Sequence, residues 1–395
     1  MLKHLFKIMW NKKRKNVLLI TEILVSFIVL FVILSFVVYT YKNYEGGKGF
    51  SSENIRIVNL KMGSDGNGFS DSIAPYHQSI NEVLKGYKEI KTISYSDFAV
   101  PYILGSHTEN AKYKNASTVC TLFFKDDSFD KAVDLKLVSG RWFNNTDEDS
   151  TRNTLVLSER IKEKLFGNED PINKYVHGIG GENNKWKVVG VVKDVKFSSD
   201  YLPATDAIFL RMDKHAVASS NTIFLNVTEN AGADFENSLS KSLSGILKNA
   251  NIEISVLDND KKSKNRIVLI PALIFIIICS FLILNVCLGL FGVLWYNINK
   301  RKSEIGLRKA LGATSRSVMF HFVGEVWVLA TFALTIGLFF AIQFPLLHVL
   351  DLPSIIYIKA IIYSIFFIYF IVSLCAIYPS GQASSVFPAE VLHEE

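Results

Sequence analysis

The apolar residues of this chain are clumped rather than spread. Val17–Tyr39 carries one charge, Glu22; Ile267–Ile298 carries none; Val318–Leu350 carries Glu325 beside His321 and His348; Ala360–Tyr378 carries none. A hydrocarbon core about 30 Å thick asks for about 20 apolar residues as a helix. The pattern therefore predicts four transmembrane helices, over 16–41, 261–298, 317–347 and 355–378. The second is over-long, since Ile267–Tyr296 would make about 45 Å of helix at 1.5 Å per residue. Its surplus turns either tilt the span or project outward as a stalk. Pro271 sits in a first turn or marks a kink. The first run exceeds the ~7–15 residues of a signal h-region and no small-x-small site follows, so it is read as a retained span. Tyr39, Tyr41 and Tyr44 fall where an aromatic belt belongs.

Between the first two spans the pattern changes to that of a packed domain, 42–260. Ile55–Leu60 reads as a strand, Ser72–Tyr87 as a helix and Ile90–Val100 as β. Near the other end Thr222–Val227 is a strand, Ala233–Asn249 a helix with Phe235, Leu239 and Leu243 on one face, and Ile252–Leu257 a strand again. The section between, about Pro101 to Asn221, reads as short strands (Thr154–Leu157, Lys187–Val192, Ala207–Leu210) with one helix, Glu159–Phe166. The expected fold class is thus an α-helical membrane protein with four transmembrane helices and a large extracytoplasmic α+β domain, in which two strand–helix–strand units flank a β-rich lobe. Gly178–Asn184 reads as a hairpin turn and Gly63–Gly68 as a loop. In the first fifteen residues Leu2, Leu5, Phe6, Met9 and Trp10 repeat at helical spacing with Lys3 and Lys7 opposite. That favours a cytoplasmic amphipathic helix lying in the membrane interface over a disordered basic tail.

Charge orients these elements. The net +6 of the 395-residue chain is concentrated in two places. Lys3, Lys7, Lys12, Lys13, Arg14 and Lys15 precede the first span. Lys300, Arg301, Lys302, Arg308, Lys309 and Arg316, against Glu304, fill the 299–316 loop. Both belong in the cytoplasm by the positive-inside rule. The tail 379–395 is then cytoplasmic too, and the Leu347–Lys359 connection lies outside with one contrary charge, Lys359. The outer domain is nearly neutral, which argues against nucleic-acid binding.

Candidate chemistry is sparse. There is no G-x-x-x-x-G-K-[ST], H-E-x-x-H or G-x-S-x-G pattern. His77, His107, His177 and His215 show no ligand spacing and read as surface or turn residues. Asp126 and Asp127, like Asp147, Glu148 and Asp149, lack the spacing of a Ca²⁺ loop and read as solvated turns. Cys279, Cys287 and Cys375 lie in spans, and Cys120 stands alone outside. Glu22 and Glu325, with His321 at i−4 to the latter, are read either as a polar relay or, preferably, as partners of the cationic flanks. Asn285 and Gln343 are expected to hydrogen-bond between helices.

The loop 299–316 is more ordered than a connector needs to be. Ser303 is placed to cap a helix with Glu304 in its first turn. Ile305, Leu307, Ala310 and Leu311 give an apolar side, Gly312 a stop, and Thr314, Ser315 or Ser317 a cap for the next span. A two- to three-turn rod hinged to two spans would move both when pushed.

These residues resemble a known family, the MacB/FtsX-like permeases of type VII ABC transporters. The loop is similar to the family's E-I-G-x-R-x-A-x-G-A pattern at Glu304, Ile305, Gly306, Arg308, Ala310, Gly312 and Ala313, with Lys309 inside it, and Glu325 fits the Glu near the start of the third span. Outside, Gly140-Arg141-Trp142-Phe143, Leu165-Phe166-Gly167, Pro171-Ile172-Asn173-Lys174 and Val188-Val189-Gly190-Val191-Val192 resemble G-R-x-F, L-F-G, P-I-G-K and V-V-G-V-V, with Asn173 in place of the usual Gly. Tyr378-Pro379 and Pro388-Ala389-Glu390-Val391-Leu392 resemble the family's ending, though Ser-Gly-Gln-Ala-Ser-Ser replaces the usual Arg-rich stretch between. The resemblance implies a homo- or heterodimer of permeases in a bacterial inner membrane, above a pair of separate ABC ATPase subunits that bind the ATP and Mg, with no cofactor in this chain. It also implies a periplasmic adaptor or outer-membrane partner, and mechanotransmission from the loop residues to the outer domain. Export of a peptide, drug or other envelope cargo is the leading expectation. Lipoprotein release, regulation of a cell-wall hydrolase or signalling partner, and an enzyme in the outer domain are the alternatives.

Overall fold

The computed structural model describes residues 13–62, 73–97, 99–102, 107–147, 153–248, 250–347, 349 and 352–385. The expected interfacial helix of the first residues, the Gly63–Gly68 loop, Glu148, Asp149, His348 and the Pro388–Leu392 ending lie outside or almost wholly outside them. The chain forms two compact units. One is Asn43–Val268; the other joins the segment up to Lys42 with the chain from Leu269 onward.

In the outer unit, β1 (Ile55–Met62) buries Ile55, Ile57, Val58 and Leu60. It sits between β11 (Ala250–Val256) and β10 (Thr222–Val227), which in turn pairs with β2 (Ile90–Ser96), all antiparallel. Helices α2 (His77–Gly86) and α6 (Ala233–Ile246) join these strands into the two expected strand–helix–strand units. Their Ile80, Leu84, Phe235, Leu239 and Leu243 share one core with Val58, Leu60, Ile223 and Leu225. The first helix starts later than its periodicity suggested: a 3-10 turn over Ala74–Tyr76 with Pro75 near its start precedes it.

The β-rich lobe closes on itself. The strands β3 (His107–Tyr113), β4 (Ala116–Lys125), β6 (Asn153–Ser158), β7 (Tyr175–Gly178), β8 (Gly181–Val192) and β9 (Ala207–Arg211) pair in the circuit β4-β3-β7-β8-β6-β9, and β9 returns to β4. The short β5 (Leu137–Gly140) pairs with β8. Closure leaves few exposed sheet edges. Helix α4 (Glu159–Phe166) leaves β6 directly and covers the lobe's core with Ile161, Leu165 and Phe166. The hairpin turn at Gly178 is tighter than expected. Gly178, Gly180 and Gly181 all have positive φ, so β8 begins at Gly181 and takes in Asn183 and Asn184. The short helices α3 (Phe129–Ala132) and α5 (Lys214–Ala218) complete the unit.

Among the described residues the β2–β4 ladder that joins sheet and lobe has one register pair, Ser96↔Lys125, flanked by bonds from Asp97 N to Phe124 O and from Asp126 N to Tyr95 O. The Lys125 side chain is wholly buried. Its ammonium donates to Ser96 Oγ, to Asp97 Oδ1 at 3.0 Å and to Ala99 O at 2.9 Å, above the rings of Phe123, Phe129 and Phe224. Burial pulls its pKa down and Asp97 opposes that. The adjacent Asp126 is not the solvated turn residue expected. It accepts from Ser94 Oγ at 2.6 Å and from the N–H groups of Tyr95 and Ser128, and desolvation pushes its carboxyl up to about 6. Asp127 is likewise engaged, taking both arms of Arg211.

In the membrane unit, four helices among the described residues are long and apolar enough to cross a bilayer. They are α1 (Lys13–Glu45), α7 (Leu257–Lys300), α9 (Ser315–Leu346) and α10 (Ser354–Ser385). Helices α9 and α10 run side by side in opposite senses: Trp327 Nε1 donates to Ser373 Oγ at 2.9 Å, and the Thr331 and Tyr369 hydroxyls lie 2.8 Å apart. Phe27 and Phe31 of α1 fill the core beside Ala330, Ala333, Tyr357 and Ile368. Helix α7 is longer than expected, 44 residues with Pro271 well inside, and only 6% of its most apolar window is buried. Asn285 bonds the carbonyl of Phe281 on its own helix rather than a neighbour.

Candidate coupling site

The loop between α7 and α9 folds as a rod of its own, α8 (Lys302–Ala310). Its N-cap is Arg301, without a side-chain cap, and the Arg301 carbonyl accepts the first intrahelical bond from Ile305 N at 3.0 Å. Ser303 therefore falls inside the first turn and caps nothing, because α7 hands over to α8 within a single residue. The exit is a complete Schellman closure. Gly312 N donates to Lys309 O at 2.9 Å and Ala313 N to Arg308 O at 3.0 Å, with Gly312 at φ +94°. Thr314 then caps α9, its hydroxyl accepting from Ser317 N.

The faces of α8 divide differently from the expected single apolar side. Ile305 is 2% exposed and packs with Ile298 of α7 and with Val318 and Phe322 of α9, with Ala313 at the edge. Gly306 is buried beside it and Ala310 is exposed. Leu307 and Leu311, four apart, are 55% and 81% exposed. Glu304 accepts from Arg308 Nη2 at 2.6 Å across one turn, in the favourable N-to-C order and worth about 0.3–0.5 kcal/mol. So Ile305, Gly306 and Ala313 seat the rod or adjoin that seat. Leu307, Ala310 and Leu311 are exposed, while the Glu304–Arg308 pair borders a small cavity against Val318, His321 and Phe322 of α9.

Arg301 is the residue that sequence counting did not single out. Its Nη1 donates to Glu325 Oε1 at 2.9 Å and Oε2 at 3.2 Å, and His321 Nε2 lies 3.6 Å from the same carboxylate. Glu325 thus pairs with the cationic flank, and the pair ties the start of α8 to α9. The only available signal was Glu325's shallow depth opposite a run of cations. Glu22 differs: it has no ion-pair partner among the described residues, and its carboxylate lies against Gly289 of α7. No cluster of His, Cys, Asp and Glu among the described residues could hold a metal.

Residues 18–240 match the MacB-like periplasmic core domain and residues 269–386 the FtsX-like permease C-terminal domain. The chain belongs to the MacB/FtsX-like permeases. It is 25% identical over 309 residues to an uncharacterized ABC transporter permease, YvrN, of Bacillus subtilis, covering 73% of this chain and 72% of that protein. It is 23% identical to the macrolide export ATP-binding/permease protein MacB of Neisseria meningitidis over 84% of this chain but 51% of MacB, so it spans about half the length of that relative. The periplasmic region of MacB from Actinobacillus actinomycetemcomitans aligns over 56% of this chain and 97% of its own length, at 19% identity and a TM-score of 0.39. As an ABC permease of this type, the chain is a membrane protein whose family implies an ATPase partner.

In this MacB/FtsX-like chain the outer motifs also converge. Arg141 N donates to Val189 O at 3.0 Å and Asn173 N to Val188 O at 2.9 Å, so the G-R-x-F and P-I-x-K segments both hang on β8. At Gly140, φ is +72° and an added Cβ would lie 2.3 Å from Val189 O, so only glycine permits that approach.

Proposed function

We propose that this chain is a permease subunit whose loop helix α8 receives the stroke of a separate ABC ATPase dimer and passes it through α7 and α9 to the extracytoplasmic domain, driving export of a peptide, drug or other envelope cargo. It works in the bacterial inner membrane, paired with a second permease subunit and served by a periplasmic adaptor or outer-membrane partner. ATP and Mg stay with the ATPase. The observation that carries this reading is that α8 is a helix of its own, closed at Gly312, with Ile305 anchored inward and Leu307 and Leu311 presented outward at i, i+4 spacing. A rod seated on one face and bare on the other is suited to a groove in a partner.

The spans support force rather than passage. Many of their hydroxyls and amides are spent on their own helices (Ser35 on Phe31 O, Ser280 on Ile276 O, Asn285 on Phe281 O, Thr335 on Thr331 O and Ser364 on Ala360 O), and Thr331 and Ser373 also bond between α9 and α10. Polar groups closed in this way line no wet track.

The test is reconstitution with the ATPase. Leu311→Asp, an exposed change, is expected to abolish ATPase capture by the membrane-embedded chain. Glu304→Lys breaks the pair with Arg308, and Gly306→Trp lifts the rod off its seat; both are expected to keep ATP hydrolysis but uncouple it from transport. Full coupled activity in all three variants would refute the assignment of α8.

A further inference from the structure

The outer ends of α1 and α7 both belong to the outer unit, which runs from Asn43 to Val268. The segment 193–206, between β8 and β9, bonds to both of them.

On the α1 side its contacts close a helix terminus, where the last carbonyls lack partners within the helix. Lys196 is only 4% exposed, and its ammonium donates to Asn43 O and, at 2.7 Å, to Gly46 O. A cation at that end also suits the helix dipole. Asn43 Nδ2 donates back to Tyr201 O at 3.3 Å, and the Tyr44 and Tyr201 rings stack with centroids 5.2 Å apart.

On the α7 side one carboxamide grips both the backbone and the side chain of Asp200. Asn265 Oδ1 accepts from Asp200 N at 3.0 Å and from Ser199 Oγ at 2.8 Å, while Asn265 Nδ2 donates to Asp200 Oδ2 at 3.0 Å. Lys48 at 3.1 Å and the Tyr102 hydroxyl at 3.4 Å complete the shell of that carboxylate. Ser199 and Asp200 are buried. Between the two grips the segment is rooted in the core. Phe197 packs against Phe50, Phe123 and Phe209, and its carbonyl accepts from Tyr102 N at 2.6 Å.

Domains joined by a stalk move on hinges by default, and a hinge is a few residues with sparse packing and a backbone free to change. This junction has the opposite build: buried polar groups, each bonded across to a helix end. Sliding α1 past α7 by the length of a hydrogen bond would strand the Lys196 ammonium or the Asp200 carboxylate away from water, which is strongly disfavoured. We propose that the segment 193–206 is a fixed joint, with Asp200 and Asn265 as its positioning residues, so that the outer ends of α1 and α7 keep a constant spacing and carry the outer domain with them. The joint lies wholly within the outer unit; only its nucleotide-driven readout rests on the role of α8.

The joint is tested on the full chain in lipid nanodiscs, first without nucleotide. Hydrogen exchange over 194–206 should be slow in the wild type. Asn265→Asp sets a second carboxylate against Asp200 and should speed that exchange by about tenfold or more, the scale of one charged hydrogen bond. Adding Asp200→Asn again sets one amide against one carboxylate and should recover most of the protection. The chain is then bound to the ATPase, with spin labels on p-acetylphenylalanine introduced at Glu45 and Ser263, both exposed, and labelled chains diluted among unlabelled ones. The distance between the labels should be the same with and without vanadate-trapped nucleotide in the wild type, and differ between those states in Asn265→Asp. A residue that only stabilised the fold would broaden the distance equally in both. Fast exchange in the wild type, unchanged exchange in Asn265→Asp, a wild-type distance that shifts with nucleotide, or a variant distance that does not would each overturn the proposal. Protection lost in Asn265→Asp and regained with Asp200→Asn, in a chain that captures no ATPase, would support the joint and sink the reading of α8.

Discussion

Cutting the tether between Arg301 and Glu325 separates the seating of α8 from its contact with a partner. The two side chains are 23% and 14% exposed, and the pair makes two hydrogen bonds, at 2.9 and 3.2 Å. The gross attraction of unit charges at that distance is about 6 kcal/mol in an effective dielectric of 20. Desolvation of both groups offsets most of it, and a hydrogen bond to a charged group nets about 1.5–3 kcal/mol. Arg301→Met strands the Glu325 carboxylate with His321 as its remaining neighbour; Glu325→Gln strands the guanidinium. Each single variant is expected to lose about 1.5–3 kcal/mol. The double variant strands neither charge, so its loss should fall short of the sum by about 1–2 kcal/mol. Thermal unfolding of the full chain in nanodiscs reads this, each kcal/mol being worth about 2–4 °C. ATP hydrolysis with the bound ATPase is read in parallel. Because Leu307 and Leu311 remain exposed, the single variants should still capture the ATPase while its permease-dependent stimulation falls. Single variants that unfold at the wild-type temperature, or strict additivity in the double, would refute the tether.

Three further outcomes follow from packing and burial. Gly337→Ala would place a Cβ 2.5 Å from the ring of fully buried Phe27 and should cost about 1–3 kcal/mol; Gly292→Ala, with nothing within 4 Å, should be neutral or stabilising by up to about 1 kcal/mol in the same unfolding assay. Lys125→Met leaves Asp97, whose Oδ2 already lacks a partner, as an unpaired buried charge, so a loss of about 3–5 kcal/mol is expected, part of it recovered by adding Asp97→Asn. The Asp126 carboxyl is raised to about 6 in the folded protein, so its contribution is fully present below about pH 4 and is lost as pH rises through 6; Asp126→Asn should flatten the pH dependence of unfolding over that window by up to about 3 kcal/mol.

Periodicity carried the architecture well because burial in this chain is segregated. The four spans are apolar over most of their circumference, and β1, β10 and β11 show the β-type runs of a packed sheet. What periodicity could not see was closure of the lobe. The first half of β8, Gly181–Lys185, is exposed and rich in Asn and Lys, so it reads as turn; only pairing with β7 makes it strand. Lys125 was equally hidden, since a lysine at the end of an apolar strand reads as a surface residue until Ser96, Asp97 and three rings are brought around it. In the loop, Gly312 and Thr314 were legible because stop and cap are local. Ser303 misled because the true cap position depends on where α7 ends, which its own sequence does not mark.

The two span carboxylates show where such reading stops. Glu22 and Glu325 lie at similar shallow depth, each in an apolar run with cations on its flank, and both invite the same pairing. Depth is a property of sequence, because each residue advances a helix by a fixed rise. Azimuth is not, because it is set by which neighbours a helix packs against. The rotation of α9 turns Glu325 toward Arg301 and the base of α8. That of α1, fixed by Phe27 against Gly337 and by Ile23 in the core, turns Glu22 onto the bare backbone of Gly289. A Cβ at Gly289 would stand 2.6 Å from the Glu22 carboxylate, so α1 and α7 meet there by leaving a side chain out. The same carboxylate chemistry thus serves a tether at one site and a close helix contact at the other. The difference lies in the packing of Phe27 on α1 and of Phe322 on α9, a few residues away from each charge.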